Sequence, residues 1–76
     1  MNEFSPANCR KRADKLSERE RDVLRLMAEG LASKQIADRL DIAHGTVLVY
    51  RERMYRKLEV NSLAPAVRLA TLAGMI

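Results

Sequence analysis

The chain has 76 residues, 14 of them lysine or arginine against 10 aspartate or glutamate, for a formal net charge of +4. That length holds one small core, and its single cysteine, Cys9, excludes both a disulfide framework and a cysteine-rich zinc site. No apolar run approaches the ~20 residues of a membrane span, no signal-peptide pattern opens the chain, and a basic balance of this kind favours polyanions, so the expectation is a soluble cytoplasmic protein that meets nucleic acid.

Residues 1–15 read as a flexible basic N-terminal tail or linker. They hold Ser5, Pro6 and Asn8, few apolar residues beyond Phe4, and then Arg10, Lys11, Arg12 and Lys15. A solvated linker, a basic arm on DNA phosphates and the end of a linker from a further regulatory domain all stay open, and Cys9 reads as an incidental thiol. Residues 16–76 form the folded domain. Its first helix opens at Ser17 and Glu20, which have capping-box spacing. Val23, Leu24 and Met27, with Leu26 at the margin, form the apolar face, and Gly30 stops the helix. Glu18, Arg19, Glu20, Arg21, Asp22 and Arg25 form a solvated face. A short second helix spans about Ser33 to Leu40, with Ile36, Ala37 and Leu40 inward and Leu31 and Ile42 packed under its ends. Asp41-Ile42-Ala43-His44 then turns the chain tightly.

The third helix organises the rest. At ~100° per residue, Val47, Tyr50, Met54 and Leu58 share one stripe that can sit on a core. Gly45, Leu48, Val49, Glu52, Arg53 and Arg56 project from the other side. Two aliphatics between arginines on an outward face suit the major groove of DNA. Gly45 would permit close approach, Leu48 and Val49 would meet thymine methyls, Glu52 would accept from a cytosine amino group, and Arg56 would read guanine or phosphate. Lys34, Thr46, Arg51, Arg53 and Lys57 are the phosphate candidates. A short helix, a tight turn and a longer basic helix make a helix-turn-helix. The fourth helix spans about Leu63 to Ala73, with Ser62 as N-cap, Pro65 in the first turn and Gly74 after the end. Ala64, Val67 and Ala70 form its inward stripe, which leaves Ala66, Leu69 and Leu72 outside as a dimer surface.

Nothing here implies an enzyme. The sequence has no nucleophile–base pair, no Gly-rich phosphate loop and no metal-ligand spacing around its one histidine, His44, so no cofactor and no metal are expected. The alternative function is a protein-interaction module that uses exposed Leu48, Val49, Leu69 and Leu72. RNA binding is weaker, because A-form grooves exclude a helix.

The segments LSERERDVLRLMAEG, KQIADRLDI, TVLVYRERMYRKLEV and AVRLATLAGMI resemble the LuxR-type helix-turn-helix family over Leu16 to Ile76. The resemblance implies an all-α, four-helix domain, with its third helix in the major groove of double-stranded DNA and its fourth often mediating a homodimer. It implies a bacterial-type transcription regulator, with RNA polymerase as a further partner. Lys57 matches a basic position that recurs in the family. Ala32 and Ala43 stand where the family usually has capping Ser or Thr, and Ser33 or His44 would compensate by shifting the cap. Tyr50 replaces a usual histidine, and Glu59 a common glycine, which predicts a strained or differently turned corner. Leu48 and Glu52 occupy outward positions where many relatives carry lysine or other polar residues.

Overall fold

A computed structural model describes residues 4–76. Five helices follow one another with no strand among these residues: α1 (Pro6–Ala13), α2 (Glu18–Ala28), α3 (Ser33–Leu40), α4 (His44–Leu58) and α5 (Leu63–Leu72). The last four are the four expected from sequence. α1 corrects the tail reading, of which residues 1–3 lie outside the described residues.

α1 forms for local reasons. Ser5 accepts from the Asn8 amide, Pro6 occupies the first helical position, and Arg10, Lys11 and Arg12 sit in the last turn, where positive charge meets the helix dipole. Its buried face is only Cys9 and Ala13, four residues apart. Two arginines fasten it. An Arg12 Nη1 donates to the Leu58 carbonyl at 3.3 Å, and an Arg21 Nη2 donates to the Ala13 carbonyl at 3.0 Å. Arg12 supplies a partner to a carbonyl in the last turn of α4, and Arg21 adds a second donor to the Ala13 carbonyl, which also accepts from the Leu16 amide at 3.1 Å. Cys9, fully buried, is therefore core and not a tail thiol.

The capping box of α2 is present, with the Glu20 amide donating to Ser17 Oγ at 3.2 Å and the Ser17 amide to Glu20 Oε1 at 2.7 Å. Ala32 and Ala43 remain the N-caps of α3 and α4, so neither cap shifts to Ser33 or His44. Gln35 compensates in part at α3, accepting from the Ala32 amide at 2.7 Å. α4 begins with no side-chain cap.

Four helices end alike. A left-handed residue, Gly30, Asp41, Glu59 or Gly74, follows the last turn. The next residue, Leu31, Ile42, Val60 or Met75, then donates its amide five residues back and lays its side chain on the core. Asp41 (φ 55°) and Glu59 (φ 60°) adopt this conformation with a Cβ, so the corner after α4 is strained as the missing glycine predicts.

Val23, Leu24, Ile36, Val47, Met54, Leu58 and Leu69 fill the centre, all fully buried. α4 packs most extensively on α2 and α3, and α5 most extensively on α1. The inward stripe of α5 is Ala66, Leu69 and Ala70, each fully buried. Ala64 is exposed and Val67 half-buried. This overturns the expected phase, and with it Ala66 and Leu69 as dimer residues. Leu72 stays outside, at 39% exposure.

Candidate nucleic-acid interface

α4 follows an amphipathic register that the sequence sets by itself. Val47, Met54 and Leu58 are buried, and Tyr50 packs half-buried against the core. The opposite side carries Gly45, Val49, Glu52, Arg53 and Arg56, all exposed, with half-buried Leu48 at its edge. Val49 is 45% exposed, high for an aliphatic residue in the longest helix of a small domain. Arg56 Nη2 and Glu52 Oε1 lie 3.2 Å apart, one turn from each other on that face. Arg53 makes no ion pair among the described residues. The face thus holds a glycine near the helix start, then an aliphatic, then one carboxylate and two guanidinium groups.

Gly45 has helical backbone, and nothing lies within 4 Å of where its Cβ would be. A glycine in the middle of a helix costs roughly 0.5–1 kcal/mol against alanine, and less in the first turn, where Gly45 sits. No contact inside the domain accounts for that cost.

The phosphate candidates do not gather in one place. Lys34 and Thr46 are exposed in the first turns of α3 and α4. Arg53 borders the outward face. Arg51 lies half-buried on the inner flank of α4, where its charge opposes the effect of burial on Tyr55; burial prevails and raises that phenol's pKa. Lys57 has a different task. Its Nζ sits 2.7 Å from Glu20 Oε1, and the Glu20 side chain is only 2% exposed. Glu20 is therefore not part of the solvated face of α2. It joins the cap of α2 to the last turn of α4. Burial alone would raise its pKa, but the hydrogen bonds from Lys57 and Ser17, with the Lys57 charge, hold it below the ordinary 4.5. The helical angle of Lys57, between the buried stripe and the outward face, was the available signal that it could turn inward.

Arg10, Lys11 and Lys15 are exposed. Arg12, from the same run, binds the far end of α4, about 20 Å along the helix from Gly45. Open grooves lie along α2 and α3, one lined by Leu31, Gln35, Asp38 and Arg39. Among the described residues no group of three His, Cys, Asp or Glu side chains could hold a metal ion. No helix among the described residues is long and apolar enough to cross a membrane.

Residues 14–70 match the model of the bacterial regulatory proteins of the luxR family. The chain belongs to that family. It is similar to the transcriptional regulatory protein FixJ of Bradyrhizobium diazoefficiens, with 45% identity over 86% of this chain and 32% of the relative. It is also similar to nodulation protein W of the same organism, with 38% identity over 91% of this chain and 30% of the relative. The nitrate/nitrite response regulator protein NarL of Escherichia coli is 42% identical over 79% of this chain and 28% of that protein. The chain thus spans about a third of the length of these curated relatives. FixJ and NarL are named as regulators, in keeping with the reading that the chain is not an enzyme. No solved structure matches it.

Proposed function

We propose that this luxR-family domain binds double-stranded DNA sequence-specifically and regulates transcription, with α4 in the major groove. The observation that carries this reading is the outward face of α4. It leaves an aliphatic residue 45% exposed between arginines, on a helix whose other side is fully committed to the core. A major groove about 12 Å wide admits such a helix, and its thymine methyls and acceptor-rich guanine edges match Val49 and Arg56. Gly45, at an open position, fits a close approach of helix backbone to bases. Leu48 and Glu52 complete the base-facing set. Lys34, Thr46 and Arg53 flank it as phosphate contacts. Lys57, engaged by Glu20, and Arg51, half-buried on the inner flank of α4, contribute through the field of the domain.

The binding form is a homodimer, assembled at least on DNA. The α5 surface open to a second copy comprises Val67, Thr71 and Leu72, of which Leu72 is the exposed aliphatic anchor. A two-fold pair would present two α4 helices to half-sites about one helical turn apart, ~34 Å. A cytoplasmic location fits this function, and RNA polymerase is a further candidate partner. The rival reading, a protein-interaction module, loses support because Leu69, one of its four aliphatics, is in the core.

Anisotropy titrations at two salt concentrations test the proposal, with duplexes selected by the protein from a random pool and unrelated duplexes as probes. Tight binding of the selected duplex with a steep negative salt slope is expected. Equal affinity for both duplexes, or no binding at low salt by folded protein, overturns it.

A further inference from the structure

The one carboxylate on the outward face of α4 needs an explanation. DNA phosphates repel it, and the buried stripe of α4 does not use it. Glu52 is 74% exposed in its side chain, and Arg56 75%. An exposed pair of this kind, four residues apart in a helix, contributes little to folding. Its consequence lies in geometry. With Oε1 held by Arg56 Nη2 at 3.2 Å, Glu52 keeps Oε2 to accept a further hydrogen bond, and Arg56 keeps its other N–H groups to donate. Glu52 precedes Arg56 by one turn, so it lies closer to the start of α4.

We infer that Glu52 and Arg56 act as one specificity unit, in which Glu52 selects a cytosine in each half-site and steadies Arg56 on a neighbouring guanine. The inference rests on the proposed insertion of α4 into the major groove. The chemistry is discriminating. Only cytosine and adenine present an amino donor there, whereas thymine presents an acceptor that a carboxylate repels, and guanine two acceptors that suit a guanidinium. Within the groove, Arg56 also offsets the charge of Glu52 where water no longer can. A glutamate without such a neighbour would weaken binding to every sequence. Paired, it weakens binding to all sequences except those that offer it a donor.

The test uses the duplex selected by the wild-type protein, a series in which each C·G pair of that duplex is changed in turn to T·A, and one unrelated duplex. Glu52→Ala, Arg56→Ala and the double variant are titrated on all of them, with thermal midpoints measured in parallel; both residues are exposed, so folding should be untouched. Glu52→Ala is expected to weaken binding to the selected duplex about tenfold, which is the scale of one base-edge contact. It should abolish the cytosine-over-thymine preference at one pair per half-site, and bind the unrelated duplex as tightly as wild type or tighter. The double variant should lose no more than the worse single variant. Unchanged cytosine preference in Glu52→Ala, or losses that add fully in the double variant, overturns the inference while leaving groove binding intact. A wild-type protein indifferent to sequence overturns the proposed function itself, and is recognised before any variant is compared.

Discussion

α4 and α5 are neighbours in sequence and both amphipathic in the fold, yet their phases were not equally legible. α4 interleaves Val47, Met54 and Leu58 with Glu52, Arg53 and Arg56. Only one rotation about its axis buries the first set and wets the second, and the structure adopts it. α5 reads LAPAVRLATL, with Arg68 as its single charge. Several rotations bury comparable apolar area, so local pattern cannot choose among them. Packing against α1 decides, and it turns Ala66, Leu69 and Ala70 inward. A helix states its own orientation only when burying the wrong face would desolvate charge.

The largest test of this contrast is on α5. Leu69→Ala should cost about 3 kcal/mol, as a fully buried leucine does, while Leu72→Ala should change stability by less than about 0.5 kcal/mol. Urea unfolding of the two variants reads this directly; equal small effects would return α5 to the rotation expected from its sequence.

The next test falls where the clear phase of α4 is least decisive, at Lys57. Lys57→Met should cost about 1–2 kcal/mol near neutral pH, a buried-pair loss discounted for the partial exposure of the lysine. The pH dependence has a definite sign. Glu20 is held below 4.5, so its stabilisation is complete above that value and fades as pH falls through its lowered folded pKa. The variant should therefore show a shallower loss of stability on acidification. Identical acid limbs in the two proteins would mean that Lys57 does not stabilise the Glu20 carboxylate.

The joint between the two helices offers a smaller effect of opposite sign. Glu59→Gly should stabilise the domain by about 0.5–1 kcal/mol, because glycine relieves the left-handed strain at φ 60°. Asp41→Gly should gain less, since aspartate visits that region more readily. Thermal midpoints rank the two.

On the outward face, stability and binding should part. Gly45→Ala should raise stability by up to about 0.5 kcal/mol, the low end for a first-turn glycine, and still weaken binding to the selected duplex. Val49→Ala should leave the midpoint nearly unchanged while lowering the same affinity. Coincident gains in stability and affinity for Gly45→Ala would remove close backbone approach from the recognition model.

Much of the molecule was determined by sequence alone. The capping box at Ser17, the left-handed stop at Gly30, the short α3 and the register of α4 each rest on residues within one or two turns of each other, so short-range chemistry suffices. The family followed from the same residues. The outward face of α4 was legible for that reason. α1 was half legible: Ser5 and Pro6 form a helix-start signal, but a basic run over a buried face of only Cys9 and Ala13 resembles a tail. Only the tertiary structure decided that this segment packs, that Arg12 closes the end of a helix distant in sequence and Arg21 the end of the helix before its own, that Glu20 leaves the solvated face for Lys57, and which way α5 turns. Each of these joins residues from different helices, 37 and 46 positions apart for Lys57–Glu20 and Arg12–Leu58. Such contacts depend on how much surface the assembled core leaves for each side chain, a quantity that no single stretch of chain contains.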